Sequence, residues 1–328
     1  MKLIKLDPTH YDAWNEFCYK NTFFWSTSFW IEYLQHSKFG VEFTDHSFFV
    51  ENNGKIAAIV PLIQEGDQLF SPGFEDRKEI LQEVKRIAGE NGIKRIQVNN
   101  DIREYLNISG YTCILGLDNI QPTKGHKSAI KKAEKYLAYR ETADIDRFKD
   151  DYFRIAGKVT RPDKTFELLG QWLKQGYGTL LEAQLDGQTA GYTYILHWKD
   201  YAYYFMSGTF GKFKEHNVTH YLLSRAFEIL PHKGVKCLEM GEQSYPSLLH
   251  IPTEKERNIS QFKRGFGGRT VLAPCSEYYF DQDCMRQAYN ERINNYIRSE
   301  YENIIVFSTP RKIQVLPPHP RNCLDCSS

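Results

Sequence analysis

The chain has 328 residues, with 42 Lys and Arg against 41 Asp and Glu, a formal net charge of +1, and 41% hydrophobic residues. That apolar share fills one large core or two ordinary ones, and at roughly 100–200 residues per domain the length favours two. Balanced charge gives no global case for nucleic acid, and no apolar run reaches the roughly 18–20 residues of a membrane-spanning helix.

The opening stretch turns polar at once and shows no secretory leader. Seven scattered cysteines (Cys18, Cys113, Cys237, Cys275, Cys284, Cys323, Cys326) are an odd number and poor material for a disulfide framework. They fit a reducing compartment, so a cytoplasmic location is expected. Aromatics reach 14%, and their bulk places most of them in cores.

In chain order, the first clear signal is a hairpin: a strand over 46–51, a turn at Asn52-Asn53-Gly54-Lys55 and a return strand over 56–63. A further strand and a glycine-bearing loop lead into a helix over 79–88, apolar at i, i+3, i+4 and i+7. Gly92 then opens a strand to Val98. Pro122 and Gly125 interrupt the pattern, which places a linker over 118–125.

Helices are predicted over 128–136, 144–156 and 162–174. The earlier order then returns: a strand over 179–185, the turn Asp186-Gly187-Gln188, a strand over 189–196, another strand, a glycine-bearing loop, a helix over 219–230, and a strand from Gly234 to Met240. A last helix covers 282–298, and the tail from Pro317 is Pro-rich. Five matched elements in one order read as a single α+β (mixed α/β) unit present twice. The expected division is 1–120, 121–310 and a flexible tail, 311–328.

Four stretches offer chemistry. Residues 204–221 run from a strand through a basic loop into a helix that Asn217 is expected to cap. A helix N-terminus suits phosphate, and Lys212 and Lys214 add charge, although an ordinary capped helix reads the same way. Glu239 and Glu242 lie three apart at a strand end, where a carboxylate can act as general base or stay a solvated surface group. In 259–268, Lys263 and Arg264 sit between Phe262 and Phe266 before Gly267 and Gly268. A lysine so placed can face a developing oxyanion, or belong to a plain basic loop. The helix carrying Lys127 and Lys131 is a solvated face or a phosphate-attracting surface. Cys323 and Cys326 with His319 make half a zinc site without a second half, so no metal is expected.

The order of these elements, with the Ser128-Ala-Ile-Lys-Lys-Ala helix, the Tyr203–Gly208 strand, the strand ending Glu239-Met-Gly241-Glu242, and the run Phe262-Lys263-Arg264-Gly265-Phe266-Gly267, resembles the Fem-type acyltransferases and the related acetyltransferase-like branch of the GNAT superfamily. The resemblance spans roughly residues 20–275, and its specific part is the Phe-Lys run and the Glu-x-Gly strand end. It implies two tandem GNAT-like domains, each a twisted mixed sheet flanked by helices. It implies transfer of an acyl or aminoacyl group to an amine of an amino sugar, peptide or cell-envelope precursor, with acyl-CoA or aminoacyl-tRNA as co-substrate and no tightly bound cofactor.

Carried onto this chain, the catalytic set is Lys263 with Glu239 and Glu242. The donor set is Phe262, Gly208, Lys212, Lys214, Asn217, Val218 and Thr219, and the acceptor set is Lys127, Lys131, Tyr204 and Arg264. tRNA is a possible partner, DNA is not, and peripheral membrane association is compatible with the family. The chain lacks the long charged helical hairpin of many cell-wall members, which tilts the donor toward a thioester. The loop before Asn217 also departs from the usual pyrophosphate motif of the superfamily. The competing reading is a degenerate tandem-GNAT module that binds nucleotide or RNA without catalysis.

Overall fold

Asn53 and Asp186, the two residues the turns depend on, both adopt positive φ (52° and 50°), and each is followed by a left-handed glycine. Each turn therefore closes a tight hairpin whose twist matches that of its strands. The computed structural model describes residues 2–247 and 250–303. From the N-terminus run β1 (Lys2–Lys5), α1 (Tyr11–Asn21), α2 (Ser28–Gln35), β2 (Phe43–Asp45), β3 (Phe48–Asn52), β4 (Lys55–Val60), β5 (Ile63–Glu65), β6 (Gln68–Ser71), α3 (Lys78–Glu90), β7 (Arg95–Val98), β8 (Leu106–Asn107) and β9 (Gly110–Gly116). Then follow α4 (Lys124–Ala133), β10 (Leu137–Glu141), α5 (Ile145–Ala156), α6 (Asp163–Lys174), β11 (Gly178–Leu185), β12 (Gln188–Trp198), β13 (Tyr201–Thr209), a 3-10 turn (Gly211–His216), α7 (Val218–His232), β14 (Cys237–Glu242), α8 (Glu254–Arg264), β15 (Arg269–Ala273), β16 (Ser276–Tyr279) and α9 (Gln282–Asn303).

The second half forms one seven-stranded sheet, ordered β10-β11-β12-β13-β14-β9-β15. The first half forms β1-β3-β4 and β2-β5-β6-β7-β16-β8. β2 continues into β3 and β4 into β5 with a bend at each junction. Pro61, which cannot donate to a ladder, lies at the second of these. Read through the bends, the first order matches the second position by position, with the same parallel step (β6 with β7, β13 with β14) at the same place. The fold is α+β, with mixed sheets flanked by helices, and the repeat read from the turns extends to whole sheets.

The halves exchange strands. β9, which lies before residue 120, pairs with β14 and β15, whereas β16, far beyond it, pairs with β7 and β8. The sheets therefore do not follow the 120/121 division, and residues 311–328 lie outside the described part. The halves also share a core. Trp14, Phe24, Ile31, Tyr33 and Phe49 pack with Phe148, Phe166, Trp172, Tyr194 and Trp198 in one buried cluster. This cluster holds more of the aromatic residues than either of the other two cores.

Several elements differ from the sequence expectation. α1 and α2 have no counterpart in it. α4 starts four residues early because Thr123 caps it, its hydroxyl accepting from the His126 amide. Phe262, Lys263 and Arg264 are helical, in α8, which a Thr253/Glu256 capping box starts. Asn217 does precede α7, but in the left-handed region and without a side-chain cap bond.

The returning strand β16 is tied down by Glu277, which is fully buried. Its carboxylate accepts from both terminal nitrogens of Arg292 on α9 (2.6 and 2.8 Å), from Arg95 on β7 (2.7 Å) and from the Tyr279 hydroxyl (3.1 Å). Burial works to raise its pKa, but the arginines hold it below the usual carboxylate range. Removing one partner from such a buried cluster leaves the others uncompensated. Glu277→Ala is expected to cost about 3 kcal/mol or more, read as a lower urea midpoint, with loss of β16 protection in hydrogen exchange.

Candidate active site

The parallel strands β13 and β14 pair only from Tyr201–Cys237 to Tyr203–Glu239. Beyond that point β13 stays with β12 as far as Thr209, while β14 stays with β9 as far as Glu242. The sheet therefore forks. The equivalent pair in the first half, β6 and β7, stays joined along its whole length, so the fork belongs to the second half alone.

Glu239 stands at the apex. Its neighbours Leu238 and Met240 point into the core beneath α7, and strand alternation turns Glu239 to the other face. There Oε1 accepts from the Thr112 hydroxyl at 2.7 Å and Oε2 from the Tyr201 hydroxyl at 3.3 Å. Burial holds this carboxyl above the usual range, and the two hydrogen bonds and the nearby Lys263 charge do not cancel that effect.

Lys263 approaches from the last turn of α8, and its Nζ donates to the Glu242 carbonyl oxygen at 3.2 Å. Burial lowers its pKa below that of an ordinary lysine, against the opposing pull of Glu242, Cys113 and Glu239. Gly241 makes room for it. Its φ is +84°, and a Cβ there would sit 3.3 Å from the ammonium nitrogen. A lysine with lowered pKa beside a glutamate with raised pKa is the pattern of an acid–base site.

The end of α8 is held by a ring cluster. His126 Nε2 bonds the Phe262 carbonyl oxygen at 2.9 Å, and the Phe262 ring meets His220 at 4.9 Å and Phe266 at 5.2 Å. The His126 ring lies where any side chain on residue 265 would have to be, so only glycine fits there. Burial and the neighbouring His126 lower the His220 pKa to about 4, so His220 is neutral at pH 7. On the other side, Arg264 Nη1 donates to Gln243 Oε1 at 2.9 Å and to the Tyr245 hydroxyl at 3.3 Å.

The fork thus brings together Glu239, Lys263 and the backbone of Glu242, whose own side chain is exposed. Phe262 packs beside them and Arg264 lines the rim. The remaining candidates lie elsewhere. Gly208 and Tyr204 are on the β13 arm, where Gly208 lies against α5 and the buried Tyr204 hydroxyl, pushed up to about 12, bonds Ser207. Lys212 donates to Gln188 Oε1 at 2.6 Å, and Lys214 is exposed. Asn217, Val218 and Thr219 open α7; Val218 is core, and the Thr219 hydroxyl lies 3.4 Å from that of Thr209. Lys127 and Lys131 are exposed on α4.

Thr112, Tyr201, His126 and His220 were not singled out from sequence, whereas Gly241 was, as the glycine of the Glu-x-Gly strand end. His220, three residues after Asn217, carries a local signal; Thr112 carries none, because strand exchange brings it in. Among the described residues no group of three or more His, Cys, Asp or Glu could hold a metal ion, and Cys323, Cys326 and His319 lie outside them.

Residues 124–247 match the family model described as an acetyltransferase (GNAT) domain. No curated protein matches the chain. Among solved structures, the chain resembles FemX with a TM-score of 0.64 at 12% identity, over 88% of this chain and 100% of that one. It also resembles L-PGS from Bacillus licheniformis with a TM-score of 0.58 at 12% identity, over 88% and 98%. At such identities the likeness is one of fold.

Gly241→Ala is expected to strain the left-handed backbone and crowd Nζ, moving the ammonium by a fraction of an ångström or more. Turnover should fall on the order of 10²-fold with little change in the circular dichroism spectrum.

Proposed function

We propose that this chain, a Fem-like acyltransferase of the GNAT kind, joins an acyl group to the amine of an amino sugar, peptide or cell-envelope precursor, with acyl-CoA as donor. The GNAT domain match and the fold carry the reaction class. The observation that supports the site is the fork, where Glu239 and Lys263 each feel the other's charge and have pKa values displaced toward each other. Aminoacyl-tRNA is the second donor to test, because the resemblance to the Fem-type acyltransferases implies it. In this reading residues 121–310 hold the chemistry, and residues 1–120 wall the site and lend it a strand. A cytoplasmic location fits the buried thiols of Cys18 and Cys113. Among the described residues no helix is long and apolar enough to cross a membrane.

The acceptor arrives largely as an ammonium ion, which cannot attack. Glu239, ionised and with its pKa raised, is a stronger base than a surface carboxylate and takes one proton. The freed amine then adds to the carbonyl carbon of the thioester, forming the C–N bond and placing negative charge on oxygen. Lys263 stabilises that charge as a fixed cation in a partly dry site. Collapse breaks the C–S bond, and the leaving thiolate takes the second amine proton, giving amide and free thiol. No covalent enzyme intermediate is involved. Thr112 and Tyr201 keep the carboxylate oriented between turnovers.

Lys263→Ala is expected to lower kcat about 10²–10³-fold while donor binding, followed by calorimetry, survives. Normal turnover in that variant removes Lys263 from the mechanism. The pH–rate profile should be a bell. Its acid limb rises as Glu239 ionises, above the ordinary carboxylate range, and its alkaline limb falls as Lys263 loses its proton, below the ordinary lysine range. Glu239→Gln should abolish the acid limb. It should also raise the melting temperature at pH 7, because a carboxyl with raised folded-state pKa makes the fold less stable as it ionises.

A further inference from the structure

One residue caps two helices at once. The Thr123 hydroxyl starts α4 by accepting from the His126 amide, while the Thr123 amide donates to the Gly265 carbonyl oxygen at 2.8 Å, at the end of α8. The His126 ring completes the link. Its Nε2 lies 2.9 Å from the Phe262 carbonyl oxygen and its Nδ1 3.2 Å from the Thr123 hydroxyl. A carbonyl only accepts, so Nε2 carries the hydrogen. Burial lowers the pKa of this imidazole, so at pH 7 the ring is neutral and Nδ1 accepts from the hydroxyl. His220 of α7 faces the ring at 4.7 Å and is neutral as well. The two segments fit closely. A Cβ on Gly265 would fall 2.0 Å from a carbon of the His126 ring, and one on Gly267 would fall 2.5 Å from the Gln121 carbonyl oxygen.

The last carbonyls of a helix lack the usual partners within it, and water or a left-handed glycine commonly serves them. At the end of α8, Gly265 stays right-handed (φ −60°), and the Phe262 and Gly265 carbonyls each take a donor from His126 or Thr123. Lys263 lies between those two anchored residues. Its side chain leaves α8 toward the fork and donates to the Glu242 carbonyl oxygen on β14. A lysine stem is flexible, so the resting place of its ammonium depends on where the backbone holds its root. Arg264, bonded to Gln243 and Tyr245, fixes this turn from the β14 side, and α4 fixes it from the other.

We infer that His126 and Thr123 are positioning residues for Lys263: the start of α4 clamps the last turn of α8 and so sets where the ammonium stands at the fork. The inference rests on the acyl-transfer reading for its purpose, but its first readout is Lys263 itself and needs no donor. His126→Leu keeps much of the bulk of the ring and loses the hydrogen bond, whereas His126→Gln keeps an N–H at similar reach. Lys263 is titrated by NMR of isotope-labelled lysine side chains, with Lys263→Arg giving the assignment. The titratable groups that act on it are Glu242 of β14, Cys113 of β9 and Glu239 of β14. Burial makes it titrate below an ordinary lysine. In His126→Leu the released ammonium meets water, so its midpoint should rise toward the ordinary value; in His126→Gln it should stay near that of the parent chain. In turnover, His126→Leu should lower kcat on the order of 10²-fold, the cost of a misplaced group. KM should change little, and the alkaline limb of the pH–rate profile should move to higher pH. His126→Gln should recover most of the loss. Melting curves establish that each variant folds. Thr123→Val, which removes the hydroxyl that holds the ring, takes the place of His126→Leu should that variant unfold.

An unchanged Lys263 midpoint in His126→Leu, or equal effects of the leucine and glutamine variants, overturns the inference. If turnover needs Lys263 but is indifferent to His126→Leu, the clamp falls and the acyl-transfer reading stands. If the midpoint moves as described but the chain takes no acyl donor, the clamp stands and the reading of its purpose falls.

Discussion

Past Tyr203 and Glu239, two neighbouring strands stop sharing hydrogen bonds, and the backbone groups along the opening lose their ladder partners. Unpaired peptide groups in a dry interior are expensive, so such an opening persists only where side chains, water or a ligand can occupy it. Here β12 holds one arm and β9 the other, so neither can swing back to close the gap. The placement of Glu239 at the apex, with the Tyr201 hydroxyl on the same face, and the approach of Lys263 across Gly241 both follow from that enforced separation. The first half lacks the fork, and its corresponding strands are sealed. Two copies of one design thus differ at this point, one strand pair open and the other closed.

The halves meet in more than exchanged strands. The shared aromatic cluster fixes α1 and α2 against β13, and Phe23 and Trp25 of the first half pack on Tyr201 and Tyr203 of the second. Rings of this size bury large areas and prefer edge-to-face contacts, which restricts sliding between the halves. The carboxylate hydroxyl partners have the same mixed origin, Thr112 from β9 and Tyr201 from β13. A site assembled this way keeps its geometry only while both halves are joined.

Much of this was legible in the sequence, for identifiable reasons. Hairpin turns are local: Asn53 and Asp186 announce their own conformation, and the amphipathic period of α3 and α7 lies within a dozen residues of each chain position. Lys263 and Glu239 stood out because their residue types suit acyl chemistry and a strand or a ring run flanks them. What stayed hidden depends on distance in sequence. Thr112 and Glu239 are 127 residues apart and meet only through the β9–β14 register. α8 was obscured because only two of its eleven residues, Ile259 and Phe262, are apolar. The basic residues Lys127 and Lys131 drew notice by charge alone, and charge by itself does not distinguish a binding surface from a solvated one.

The reciprocal loan of β9 and β16 also constrains how the molecule comes into being. On a ribosome the first sheet would emerge with a gap between β7 and β8, since the strand that fills it arrives some 170 residues later. Until then the open edge of β7 offers unsatisfied backbone to any passing strand, the usual route to misassembly. Completion must wait for nearly the whole polypeptide. Evolution by swapping one half for a homologous domain is discouraged for the same reason, because each half would be missing a piece held by the other.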